Sequence, residues 1–212
     1  MYKRQHENRI LIRYTLLEAH SDTTLQFRPF LAFRNANSLC VANGMLNGHY
    51  DVVENGISCC LYPGYPTLYM QFNKPVEFVS QPNWYRGIEY IKDQERGYDY
   101  KEDLYVPGYF ELKIKKGESV VFSAGLSEIN TTQLKQIADF EAKIRTPRDN
   151  FYHCLVNSAH QFYYHVDGEN YILAGYPWFK CRARDMLIAL PGLTLVNEEV
   201  EQFEMCMKTV EK

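Results

Sequence analysis

A chain of 212 residues has room for one large or two small domains, and at 46% hydrophobic and 23% charged it is composed like an ordinary globular protein. A formal net charge of -3 excludes a general nucleic-acid binder, which needs a basic surface to neutralise phosphates. No apolar run approaches the roughly 18–20 residues that span a bilayer, and Met1 is followed by charged and polar residues, so neither a membrane span nor a secretory leader is expected.

The first elements read as strands. Ile10, Ile12, Tyr14 and Leu16 alternate with Leu11, Arg13, Thr15 and Leu17, so both faces of that strand are largely apolar. Leu25, Phe27, Leu31 and Phe33 then alternate with Gln26, Arg28 and Arg34, a half-buried strand with charge on its wet face. Pro29 places it at an edge or a bulge. Further strands are expected at 57–62, 67–72, 76–80, 84–91, 110–115 and 119–123. Asn43-Gly44, Asn47-Gly48, Asn55-Gly56, Pro63-Gly64 and Lys116-Gly117 supply the turns. Many strands at short spacing predict an antiparallel sandwich or an open barrel-like sheet.

The pattern changes between 123 and 130. Asn130 followed by Gln133 is a capping-box variant, and Leu134, Ile137, Ala138 and Ile144 follow helical spacing. Thr146-Pro147 predicts a restart, with Thr146 as N-cap and Pro147 at the first helical position. Phe151, Cys154, Leu155, Ala159 and Phe162 form the apolar face of that helix. The segment 162–173 reads as a hairpin turning at Asp167-Gly168. A helix over 182–190 is expected to stop at Pro191-Gly192, and a last one follows Asn197, with Glu198 and Glu199 favourable in its first turn. Strands first and helices second predict an α+β chain with segregated regions, divided as 1–126 and 127–212.

Six cysteines, at 40, 59, 60, 154, 181 and 206, include no C-x-x-C pair and read as reduced thiols of a cytoplasmic protein. Aromatics make up 15% of the chain, which suits a tyrosine-rich sheet and also suits sugar stacking. His153 and His160 are seven apart on one helix face, with His165 beyond, but a metal site needs closer spacing and a third ligand. Cys154 near these histidines is weak ground for a thiol dyad. No glycine-rich phosphate loop and no nucleophile elbow is present. No cofactor is expected. Glu102-Asp103, Glu198-Glu199 and Glu201 are acidic, but paired carboxylates for glycoside hydrolysis must face each other from separate elements, and none is assignable here.

The most informative stretch is 174–195, AGYPWFKCRARDMLIALPGLTL. It places Tyr176, Trp178 and Phe179 just ahead of Arg184-Asp185. An aromatic surface can stack on a sugar ring, and a fixed Arg and carboxylate can take its hydroxyls in charge-assisted hydrogen bonds. The plainer reading is a helix N-terminus with Asp185 in its first turn and the aromatics in the core.

This stretch resembles the start of the catalytic domain of glycogen-debranching enzymes of the bacterial and archaeal amylo-α-1,6-glucosidase type, whose pattern is A-G-Y-x-W-F-x-x-W-G-R-D-T-x-I-A-L-P-G-L. Ala174, Gly175, Tyr176, Trp178, Phe179, Arg184, Asp185 and 188–193 match it. The segments 11–21, 30–35 and 102–110 resemble the N-terminal β-domain of the same family. The family's Trp-Gly is Arg182-Ala183 here, Lys180-Cys181 make the local surface more basic, and His160 stands where the family commonly has Asp.

The resemblance implies a β-sandwich followed by the first helices of an α/α barrel of glucoamylase type, in an enzyme that hydrolyses α-1,6-linked glucose at glycogen branch points. It implies that Trp178, Arg184 and Asp185 bind the sugar. It also implies a piece of a longer parent chain, with the sandwich incomplete at its start, the catalytic glutamates lying beyond Lys212, and no hydrolysis by the piece itself. The expected partners are glycogen or a branched α-glucan and the remainder of the parent chain, with self-association through an open sheet edge and an uncovered helical face. The alternative function is a non-catalytic glucan-binding or scaffold β-sandwich module.

Overall fold

The structure is a computed structural model that describes residues 2–4, 8–175 and 179–211. It is α+β, with antiparallel sheets and a few helices. Two compact units divide it, chiefly Glu7–Asp139 and Phe140–Lys212.

The first unit contains β1 (Tyr2–Arg4), β2 (Arg9–Thr15), β3 (Thr23–Phe27), β4 (Tyr50–Val53), β5 (Gly56–Cys59), β6 (Leu68–Phe72), β7 (Glu77–Glu89), α1 (Ile91–Glu95), β8 (Lys101–Ile114) and β9 (Ser119–Gly125). The helix α2 (Leu134–Lys143) carries the division between the units. One sheet has the order β1-β2-β9-β6-β5-β4 and a second the order β3-β8-β7. Both contribute to one core, with Ile57, Met70, Phe72 and Val120 from the first and Phe110, Leu112 and Ile114 from the second. Leu11 and Val121 pack instead with Leu134 and Ala138 of α2. That accounts for one apolar face of β2; on the other, Ile10 and Tyr14 remain 37% and 39% exposed.

The aromatic richness of this unit is largely core. Tyr14, Phe27, Phe72, Phe110, Phe78 and Tyr50 form a continuous run of rings, with centroids 4.8, 5.3, 5.1, 5.0 and 4.8 Å apart in that order. Tilted pairs of this kind contribute about 0.5–1.5 kcal/mol each beyond area burial.

Several strands differ from their sequence pattern, and proline accounts for most of this. The strand expected through Arg34 ends at Phe27, because Pro29 offers no N–H to the ladder. Leu31 then rejoins β8 as a single bridge, its N–H donating to the Tyr105 carbonyl at 2.8 Å. The strands expected at 76–80 and 84–91 are one strand, β7, which continues through register shifts between Ser80 and Asn83 and between Tyr85 and Ile88. Pro82 sits inside the first shift. On the facing strand, β8 begins nine residues before the expected start at 110, since Pro107 falls opposite the same irregularity. Gly108 there has φ +154°, and a Cβ on it would lie 2.1 Å from the Val79 carbonyl oxygen.

Two segments of the first unit that are distant in sequence meet at Glu102. Its buried carboxylate accepts from the Arg34 guanidinium through both oxygens, from the Tyr90 hydroxyl at 2.5 Å and from the Cys40 N–H at 3.0 Å. The neighbouring Asp103 accepts from the N–H groups of Ala42 and Gly87, each at 2.9 Å. The dipeptide therefore fixes the 34–42 loop on one side and the second irregularity of β7 on the other.

The second unit contains α3 (Phe151–His160), β10 (Tyr163–Val166), β11 (Glu169–Gly175), β12 (Phe179–Cys181), α4 (Ala183–Leu193) and α5 (Val200–Val210). The strands form an antiparallel sheet in sequence order. Ile172 of β11, Met186 and Leu190 of α4 and Cys206 of α5 make its core, with Phe162, Phe203 and Met207 around them. The expected hairpin is present, with Asp167 at φ +50° and Gly168 at +78°, as a two-residue turn with both central residues left-handed requires.

The cap of α3 is Asn150, not Thr146: its side chain accepts from the His153 N–H at 2.8 Å. Thr146 contributes its carbonyl to the Asn157 side chain instead. All six cysteines are free thiols. No helix among the described residues is long and apolar enough to cross a membrane.

Candidate functional site

The site region begins at the pairing of β11 with β12. Gly175 pairs with Phe179, and a Cβ on Gly175 would lie 2.6 Å from Phe179 Cδ2. Glycine is therefore required for the ring to lie against the backbone. Phe179 remains 51% exposed, and the Arg182 guanidinium carbon sits 4.8 Å from its ring centroid. A planar cation thus occupies the position of the family pattern's second tryptophan, held against an aromatic face.

Arg182 is the N-cap residue of α4, and Arg184 and Asp185 lie in the first turn. The helix is anchored from below by Met186 and Leu190, which are buried four residues apart. Arg184 and Asp185 are exposed, as are Leu187, Ile188 and Pro191 further along. Among the described residues, neither Arg184 nor Asp185 has a side-chain hydrogen bond or ion pair. Asp185 suits the positive end of the helix dipole, but nothing holds it away from a ligand. Trp178, with Tyr176 and Pro177, lies outside the described residues.

Proline does not stop α4 where the sequence suggests. Pro191 lies inside the helix, which continues to Leu193. The end is made by Thr194, buried, whose N–H and Oγ1 both donate to the Leu190 carbonyl, at 3.0 and 2.6 Å. A left-handed Glu198, at φ +61°, then redirects the chain into α5.

That turn gives Glu199 a role beyond a first-turn charge. Its carboxylate is 2.6 Å from His160 Nε2 at the end of α3 and 3.0 Å from the Tyr163 hydroxyl, which also lies 2.8 Å from the Leu193 carbonyl. Burial first, and the Glu199 charge second, push the Tyr163 phenol well above its ordinary range. The four groups join α3, β10, α5 and the C-terminal end of α4 into one framework, at the opposite end of α4 from Arg184. His160 at the place of the family's Asp was the only sequence sign of this joint. His153 is engaged elsewhere, its Nδ1 lying 2.5 Å from Asp149. Among the described residues no three His, Cys, Asp or Glu side chains are grouped to hold a metal ion.

The site therefore presents a half-exposed aromatic ring, a cation stacked on it and an unengaged Arg–Asp dipeptide on one rigid helix start. Comparison with known protein families gives two matches. The family model described as "Glycogen debranching enzyme N terminal" matches residues 2–121, and the one described as "Amylo-alpha-1,6-glucosidase" matches residues 156–211. No curated protein and no solved structure matches the chain. With more than half of its length matched by the first family model, and the exposed Arg184-Asp185 turn inside the second, the chain belongs to the glycogen debranching enzyme family.

Proposed function

We propose that this chain supplies part of the glucose-binding subsite of an amylo-α-1,6-glucosidase acting on glycogen or a branched α-glucan in the cytoplasm. Arg184 and Asp185 take hydroxyls of the glucose, and Trp178 supplies a stacking ring. The observation that carries this reading is the exposed first turn of α4, where both charged side chains stand without partners among the described residues while Met186 and Leu190 fix the helix. On this reading the first unit is a β-sandwich accessory domain, and the second contains the opening helices of an α/α barrel. The exposed Ile188, Val196 and Val200, at 72%, 70% and 54%, support that reading, since further barrel helices would cover such side chains.

We propose further that this chain does not hydrolyse glucan by itself. Inversion needs two carboxyl groups about 6.5–9.5 Å apart on opposite sides of the scissile bond. Glu199 is engaged with His160 and Tyr163, and Asp185 serves hydroxyl binding on this reading. Glucose release from a branched limit dextrin by the purified chain would overturn the inactivity. Co-sedimentation with glycogen tests the binding. Arg184→Ala is expected to weaken retention about tenfold or more, as loss of a charge-assisted hydrogen bond does, and Trp178→Ala by a similar factor. Failure of the intact chain to sediment would sink the subsite.

A second reading, a non-catalytic glucan-binding or scaffold module, is favoured by aromatics outside the ring run. Phe30 is 46% exposed and stands 4.7 Å from the Tyr85 ring, while Arg28 lies 4.7 Å over Tyr109. Retention that survives Arg184→Ala and is lost in Phe30→Ala would move the binding surface to the first unit.

A further inference from the structure

The first unit holds a cavity of about 290 Å³ lined by Arg13, Lys74, Lys135, Glu118, Ser119 and neighbouring backbone. Three cationic side chains, from β2, the β6–β7 connection and α2, surround it, against one carboxylate in the lining. The region is built rather than incidental. Asn73, next to Lys74, is locked to β9 in both directions: its N–H donates to the Val121 carbonyl at 3.1 Å, and its side chain accepts from the Val121 N–H at 2.8 Å. Glu118 is fixed by the turn it closes, accepting from the Lys115 N–H at 2.8 Å. Arg13 projects from β2, and its contact with Asp139 uses one terminal nitrogen, at 2.5 Å.

The charges in this cavity are incompletely matched. Lys74 is only 27% exposed, yet its ammonium reaches Glu118 at 3.4 Å, a long contact for an ion pair. Glu118 is already served by backbone, and that N–H, ahead of Lys74, holds its carboxyl below the ordinary range. Lys135 has no hydrogen-bond or ion-pair partner among the described residues. Lys135 is exposed and Lys74 has Glu118 only at 3.4 Å, so the cluster presents more positive than negative charge, which favours an incoming anion. Two lysines and the free nitrogens of Arg13 provide donors that a tetrahedral dianion accepts, and the Ser119 hydroxyl, 2.7 Å from Thr15 Oγ1, adds one where Thr15 is the donor of that pair. The volume exceeds that of an inorganic phosphate and approaches the lower end of small-molecule sites.

We infer that this cavity is a phosphate-monoester site, taking the phosphoryl group between Arg13, Lys74 and Lys135 with a sugar-sized remainder beside Ser119. The site is independent of the subsite on α4. The phosphoryl group belongs either to a free hexose phosphate or to a phosphate ester carried on a glucan.

Titration calorimetry on the full chain in phosphate-free buffer tests this with inorganic phosphate, glucose 6-phosphate, and a phosphorylated dextrin before and after phosphatase treatment. Saturable binding of at least one phosphorylated probe is expected, with none from sodium chloride at matched ionic strength. Tighter binding of the hexose phosphate than of the phosphorylated dextrin assigns the free sugar; the reverse order, abolished by phosphatase, assigns the glucan. Lys74→Gln and Lys135→Gln are each expected to weaken binding about tenfold. Their unchanged melting temperature without ligand is the check that they fold. Glu118→Gln keeps the acceptor for Lys115 and removes the competing charge, so it is expected to tighten binding. Absence of saturable binding by every probe, or binding indifferent to both lysine variants, overturns the site.

Discussion

Arg34→Ala is expected to destabilise the first unit by about 3–5 kcal/mol, as removing one partner of a buried ion pair does. Glu102 is 1% exposed, so its carboxylate cannot recover water when the guanidinium is lost. Only the Tyr90 hydroxyl and the Cys40 N–H would remain to it. The double variant Arg34→Met, Glu102→Leu is expected to lose less than Arg34→Ala alone, because it leaves no orphaned charge. Urea unfolding in a Trp178→Phe background reads this cleanly, since Trp84 then reports on the first unit alone. A larger loss in the double variant would show that the pair itself, and not the stranded carboxylate, dominates.

The same network sets an acid limit. Burial pushes the Glu102 carboxyl up, but the Arg34, Tyr90 and Cys40 bonds together outweigh it and hold the group below its ordinary value of 4.5. A folded value below the unfolded one means that this carboxylate contributes fully above the unfolded value. The contribution is lost as pH falls through the folded one. Asp103, held down by the Ala42 and Gly87 N–H groups, has the same sign. The unfolding midpoint is therefore expected to fall below about pH 4.5, and to fall less steeply in Glu102→Gln. An equal slope in the variant would remove Glu102 from the account.

Gly56→Ala is expected to cost about 4 kcal/mol or more, or to prevent folding of the first unit. Its Cβ would lie 1.9 Å from the Met70 carbonyl oxygen and 2.9 Å from Gln71 Cα. Both obstacles are backbone of the paired strand β6, so no rotamer change relieves them. Gly117→Ala is the control: φ is +81° there, but nothing lies within 4 Å of the added carbon. Its cost is expected at about 1–2 kcal/mol, that of the left-handed backbone alone. The difference between the variants in the same urea experiment isolates the steric contribution of the strand contact. Similar losses in both would mean that β5 and β6 separate locally to accept the methyl group.

The fold was legible where side-chain periodicity dominates. The alternation of β2, the hairpin at Asp167-Gly168 and the helical spacing of α2 all survive in the structure. It was obscure where a proline sits at a break that only pairing defines. Pro82 falls between the strands expected at 76–80 and 84–91, and Pro107 ahead of the one expected at 110–115, yet they occupy opposite sides of one irregularity, and a single strand cannot show that its partner is irregular at the same place. The edge strand β4 escaped for another reason: Tyr50 packs on the core while Val52, two residues on, is 82% exposed, so its side chains do not alternate. In the site region, the Arg184-Asp185 turn was visible as a motif. The Glu199 joint was not, because it depends on a left-handed residue and on a histidine thirty-nine positions away.

The pairing of β2 with β9 has a consequence for synthesis. Arg9 meets Gly125 and Thr15 meets Ser119, so β2 waits for more than a hundred residues before its neighbour on the β9 side exists. At bacterial-to-eukaryotic elongation rates that interval is roughly 5–25 s. For that time Leu11, which ends fully buried, is an apolar residue on a strand that lacks its β9 partner. A nascent chain arrested before β9 should accordingly be a better chaperone client than one arrested after it. The order of strands in the sheet thus sets a schedule as well as a shape.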